Sequence, residues 1–149
     1  MGVLIDNRQK SYRLSQKKIR KKAQAVLNAL VSPEAELSVV FVDDSEIKAL
    51  NKKYLNRPGP TNVIAFPMRE GECSDVTPLL LGDVVISTET ARREALKSGI
   101  SVETRLDQLL VHGVLHLFGF DPEKNEVDAG NMEAKAAELL EIIDNLDHE

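Results

Sequence analysis

The chain has 149 residues, a net charge of −5 and a single cysteine, Cys73. That length can bury about 68–70% of the surface exposed on unfolding, enough for one cored domain over residues 1–149. One cysteine excludes an internal disulfide and a cysteine-based zinc site. No apolar run is long enough to span a bilayer, and Val3-Leu4-Ile5 is too short for a signal peptide's apolar centre, so a cytoplasmic protein is expected.

Residues 3–6 read as a short strand. Arg8, Lys10, Arg13, Lys17, Lys18, Arg20, Lys21 and Lys22 then form a basic run with no acid among residues 8–22. Residues 123–149 carry nine acids against Lys124 and Lys135. That asymmetry permits a polyanion-facing side on an acidic protein, although a solvated helix face also explains the run. Ser15 is positioned to cap a helix reaching residue 31, with Ile19, Ala23, Val26, Leu27 and Leu30 as its apolar stripe. The lysines fall largely off that stripe. They crowd the helix start, where the dipole favours acids.

Ser32-Pro33 ends this helix. Residues 37–42 are mostly apolar and β-branched, as in a strand buried on both faces. A second helix is expected over 45–54, with Asp43 and Glu46 at capping-box spacing and Ile47, Leu50 and Tyr54 inward. Residues 56–60 form a Pro/Gly loop. Residues 63–66 make a short strand closed by Pro67, which places it at or near a sheet edge. Residues 68–79 are polar and read as a loop holding Cys73, a bystander thiol. Residues 79–86 form the last strand, interrupted at Gly82-Asp83.

Ser87 or Thr88 caps a third helix, stopped by Gly99. Ser101 caps a fourth, over 102–118. It is apolar nearly all round from Leu106 onward, so it should be the central buried helix. A fifth runs from residue 128 to about 145, with Met132, Ala136, Leu139, Leu140 and Ile143 inward. The order β-α-β-α-β-β-α-α-α indicates an α+β fold, a small mixed sheet of about four strands against about five helices.

The fourth helix carries the most informative chemistry. His112 and His116 stand four residues apart, so both imidazoles share one helix face, a turn apart. Two neutral imidazoles so placed can clamp a divalent metal, zinc above all, although a pair of satisfied core histidines has the same spacing. Gly119 suits the left-handed turn that would bring the following residues back toward the pair. Asp121 is the nearest candidate for a third ligand, as well as a natural turn residue before Pro122. Glu123 and Glu126 are more distant candidates. His148 reads as part of a solvated tail. Gly113, in mid-helix, indicates close packing of a neighbouring element. Asp83, inside an apolar strand, needs a hydrogen-bonding partner if buried, or else orients a histidine through its free ring nitrogen. Arg57, in the Pro/Gly loop, can reach a phosphate or remain solvated.

Three stretches resemble one family. His112-Gly113-Val114-Leu115-His116-Leu117-Phe118-Gly119-Phe120-Asp121 resembles the H-G-x-L-H-L-x-G-Y-D-H motif of the YbeY family, described as metal-dependent endoribonucleases of RNA maturation. Pro60-Thr61-Asn62-Val63-Ile64-Ala65-Phe66-Pro67 resembles its P-T-[DN]-V-L-S-F-P stretch, and Leu81-Gly82-Asp83-Val84-Val85-Ile86-Ser87 its L-G-D-I-V-I-S stretch. Pro122 replaces the final histidine. Leu55 stands where the family usually has a catalytic or substrate-binding arginine, leaving Arg57 as the candidate for that role. The His-helix motif also resembles the start of the metzincin signature, with Gly113 in place of the glutamate base.

The resemblance implies a metzincin-like fold in which the edge strand beside the His helix runs along the substrate cleft. It implies a metal-dependent hydrolase that cuts single-stranded ribosomal RNA and works with the ribosome or its associated proteins. One divalent ion, expected to be zinc, would be held by His112, His116 and Asp121. A non-catalytic RNA- or ribosome-binding factor with a degenerate metal site is the first alternative, and a metzincin-like protease the second. Aromatic residues are few, so base stacking is not the main source of RNA affinity.

Overall fold

The computed structural model describes residues 2–68 and 80–147. Cys73, most of the expected loop before the last strand, and His148 lie outside the described residues. The elements are β1 (Val3–Asn7), α1 (Gln16–Ala29), β2 (Glu36–Val42), α2 (Asp44–Leu55), β3 (Val63–Pro67), β4 (Leu80–Ser87), α3 (Thr88–Ser98), α4 (Val102–Leu117) and α5 (Glu126–Asp147). Their order is the one the hydrophobic periodicities predict. Among the described residues no helix is long and apolar enough to cross a membrane.

The strands form one mixed sheet in the order β1-β2-β4-β3, giving an α+β fold. β1 and β4 run parallel to β2, and β3 runs antiparallel to β4. β3 is therefore an edge strand, the position where Pro67 costs no ladder bond to a second neighbour. Opposite Glu36 and Leu37 the register of β4 jumps from Leu80 to Gly82, leaving Leu81 as a bulge. Gly82 sits there at φ +138°, and a Cβ on it would run into the Phe66 carbonyl oxygen.

The helix starts follow the capping chemistry. The hydroxyls of Ser15, Ser87 and Ser101 accept from the amides of Lys18, Thr90 and Thr104, at 3.3, 3.2 and 3.0 Å. α2 departs from expectation, because the Asp43 side chain makes no capping bond. The Glu89 carboxylate of α3 instead accepts from the Asp44 amide at 2.7 Å, a capping interaction supplied by tertiary structure.

The two sheet faces are covered unequally. On one face Val84 and Ile86 join Val26, Leu27, Leu109, Leu115, Leu139 and Ile143 in the main core. On the other, α2 covers only a small cluster of Val42, Ile47, Ile64 and Val85. Hence β2 is not buried on both faces along its whole length; Ser38 and Val40 are half-buried. Tyr54 does not point inward either. It is 57% exposed and packs edge-on to Phe66 with ring centroids 5.5 Å apart. Asp83 is exposed rather than buried. It alternates with Val84 and shares the face of Val85, away from α4, so it cannot orient a histidine of that helix.

Candidate active site

α4 is held close to the sheet because Gly113 has no side chain. A Cβ there would stand 2.5 Å from Cγ1 of Val84. Close backbone approach thus explains a mid-helix glycine that costs about 1 kcal/mol relative to alanine. It also leaves no room for a glutamate at the position where the metzincin signature places its base.

Helix geometry then decides which residues meet. Residues 103 and 112 are nine positions, or about half a turn in projection, apart, so they lie on opposite faces of α4. On the face toward α1, Lys22 Nζ donates to Glu103 Oε1 at 3.0 Å and to Asp107 Oδ1 at 3.1 Å. Lys22 is 4% exposed and Asp107 8%. Lys22 is thus not part of the solvent-facing basic run. Burial alone would depress its ammonium pKa, but the two carboxylates more than offset this and hold it above its ordinary value.

The opposite face carries His112 and His116. They line a cleft of about 630 Å³ with Asn62 and Val63 at the β3 edge and Met132 and Glu133 of α5. His112 is half-buried and His116 exposed. Burial, then the positive charge of Arg105 and the neighbouring His116, push the His112 pKa down, so its ring is held neutral with a lone pair available.

α4 ends as Gly119 predicts. Gly119 lies at φ +96°, its amide bonds to the His116 carbonyl, and the Phe120 amide reaches back to Leu115 O, both at 3.0 Å. This turn brings Pro122 into the wall of the cleft with both histidines. Asp121 is not among the cleft-lining residues. It is exposed, and its Oδ1 accepts from the Glu123 amide at 3.0 Å, the bond of a turn residue. Among the described residues no three of His, Cys, Asp or Glu stand close enough to hold a metal ion. The donor set of this cleft is therefore two imidazoles with a proline at the third position, an incomplete fit for a catalytic zinc site, which ordinarily has three protein ligands. Arg57 is exposed in the loop after α2 and does not line the cleft.

The structure adds a polar chain that the sequence reading missed. The Glu94 carboxylate of α3 accepts from Asn62 Nδ2 at 3.2 Å and from Arg105 Nε at 3.0 Å. Arg105 also donates to Gln108 Oε1 at 2.7 Å. Asn62 and Gln108 both line the cleft, so this chain fixes two of its polar groups, and the charge of Arg105 acts on His112 from behind them. The available signal was helical spacing, since Arg105, Gln108, His112 and His116 recur on one stripe of α4.

The model of the family described as endoribonuclease YbeY matches residues 4–144. A curated endoribonuclease YbeY from Syntrophotalea carbinolica is 50% identical, covering 94% of this chain and 95% of its own. That of Geobacter sulfurreducens is 46% identical over 97% of both chains. Among solved structures, the solution structure of TM1509 from Thermotoga maritima shares the fold. It has a TM-score of 0.61 at 24% identity and covers 94% of this chain and 89% of its own.

Proposed function

The chain belongs to the endoribonuclease YbeY family, and on that premise we propose that it cuts RNA internally in the cleft of His112 and His116. Single-stranded ribosomal RNA undergoing maturation is the substrate class the family resemblance implies, and the ribosome or its associated proteins the setting. The observation that supports this site is the cleft itself. It combines an imidazole held neutral, a second imidazole one turn away, and an edge strand alongside.

A neutral ring can bind a divalent ion or take a proton from an attacking oxygen, and both roles need the unprotonated nitrogen. Arg105, fixed by Glu94, supplies positive charge near the point where a phosphodiester would develop negative charge. We assign His112 and His116 as the protein donors for one divalent ion, zinc by donor type. A bound ion would act as a Lewis acid toward phosphoryl oxygen. Two donors hold such an ion less firmly than three, so the affinity expected is low. Pro122→His, placing an imidazole in the cleft wall, should raise zinc affinity measured by competition with a chromophoric chelator. Asp121→Ala should leave that affinity unchanged. Release of zinc by Asp121→Ala instead would restore Asp121 as the third ligand.

The activity is tested with end-labelled single-stranded RNA. The parent should produce internal cuts, and His112→Ala/His116→Ala should remove them while retaining the far-UV circular dichroism spectrum. The rival, a non-catalytic RNA- or ribosome-binding factor, draws its support from Pro122 at the third ligand position. Under that reading the parent binds RNA without cutting it, and the histidine variant binds equally well.

A further inference from the structure

α1 carries a second charged surface that the cleft chemistry does not use. Ala23, Val26 and Leu27 are buried against the core. Lys17, Lys18 and Lys21 point the other way by helix geometry, and all three are exposed. Lys18 lies near Glu103, and Arg20 sits on the flank beside Leu27, its Nε donating to the Val3 carbonyl at 3.4 Å. Lys17 and Lys21 form no ion pair among the described residues, and the first turn of α1 contains no acid to meet the helix dipole. Glu103 and Asp144 border the groove beside Lys18 and Lys21, while the concentrated positive charge of this face is complementary to a polyanion. Its burial partners also hold it in place, because Lys22 on the adjoining side of α1 is tied to Glu103 and Asp107 of α4.

Position makes this surface distinct from the cleft. α1 packs on β1 and the cleft opens beside β3, the two outer strands of the sheet. Three inter-strand gaps separate those strands, about 14 Å at the usual strand spacing. The two sites also lie on opposite sides of α4. α5 packs against both α1 and α4, and its exposed Glu138 and Glu141 disfavour an anionic chain crossing there.

We infer that the Lys17-Lys18-Lys21 ridge of α1 is a second RNA-binding surface, which grips phosphates distant from the cleavage point and favours RNAs long enough to reach both sites. This rests on the nuclease reading above for its second half only; the ridge as an RNA contact stands or falls by binding. Charge complementarity selects the occupant: a phosphate backbone supplies closely spaced negative charge along an extended line, which a row of cations on one helix face can follow.

The test compares the parent with Lys17→Gln/Lys18→Gln/Lys21→Gln on a long ribosomal RNA fragment and on a short oligonucleotide that fills the cleft but cannot reach α1. Filter-binding titrations of the long RNA across a salt series should show a log–log slope shallower by about 2 in the variant, from three lost single-strand phosphate contacts. kcat/KM should fall on the long RNA through KM and stay unchanged on the short one. An unchanged salt slope would overturn the inference, as would an equal fall on both substrates. Loss of binding to anionic phospholipid vesicles with no change toward RNA would assign the ridge to a membrane surface and overturn it too. If the parent cuts neither RNA, the nuclease reading fails and the salt slope still decides the ridge.

Discussion

Glu103 and Asp107 on one face of α4, and His112 and His116 on the other, sit in opposite circumstances. The carboxylates meet Lys22 within 3.1 Å, Asp107 in a contact largely closed to water and Glu103 at its open rim. The imidazoles face a cleft, and no hydrogen bond to either ring is formed by the protein among the described residues. One helix therefore joins a satisfied polar pair that fixes its position to an unsatisfied pair that is free for chemistry. The comparison teaches that burial of charge and function need not coincide. Lys22, the most buried ionisable side chain among the described residues, locks α1 to α4, while the groups suited to react are kept partly open.

Removing a partner on the satisfied face should have the largest effect. Lys22→Ala leaves Asp107 buried and uncompensated, and should cost about 3–5 kcal/mol in urea unfolding. Lys22→Met/Asp107→Leu should recover most of that, since replacing the whole pair by apolar groups is often neutral. If the single variant is as stable as the parent, the pair does not hold the helix as described.

The unsatisfied face should respond in activity and not in folding. Either His112→Ala or His116→Ala should lower RNA cleavage at least ~100-fold, with the unfolding midpoint near that of the parent. A large stability loss without loss of activity would return the two rings to the core.

Gly113→Ala affects both faces through the packing between them. Its new Cβ collides with Val84, at a cost of about 1–3 kcal/mol, and tips the His pair away from β3. Val84→Ala in the same chain should relieve the collision. The readout is the unfolding midpoint together with cleavage rate, and both should move together.

Acid titration gives the smallest expected effect. The hydrogen bond and charge of Lys22 hold the Glu103 carboxyl below its ordinary value. As pH falls from about 5, the unfolded chain takes up a proton first, so the stability from this group is lost through the folded pKa. Glu103 is 47% exposed, which keeps its share under about 1 kcal/mol. Thermal melts should therefore fall less steeply with acid in Lys22→Met/Asp107→Leu than in the parent.

Much was legible from sequence where the determinant was local. Ser15, Ser87 and Ser101 announce helix starts because their hydroxyls bond three residues ahead. Gly99 and Gly119 announce ends because their left-handed backbone suits a residue without a side chain. Pro67 marks an edge strand, the His spacing sets one helix face, and Gly113 indicates an element pressed against α4. These depend on covalent geometry within a few residues.

Tertiary structure alone decided the rest. Lys22 belongs to a basic run by sequence and is buried in fact, because its carboxylate partner lies 85 residues ahead. Asp83 is exposed because strand alternation turns it from α4 and α2 covers only part of the other face. Asp121 and Pro122 are neighbours in the motif, but the turn after Gly119 sends the proline into the cleft and leaves the carboxylate bonded to its own loop. Helical spacing puts Arg105 on the His stripe, but its link through Glu94 of α3 to Asn62 at the β3 edge exists only in the folded chain. For Lys22 and Arg105 a partner distant along the chain sets the environment of the side chain, and for Asp83, Asp121 and Pro122 the packing of the element does; single-sequence periodicity carries no record of either.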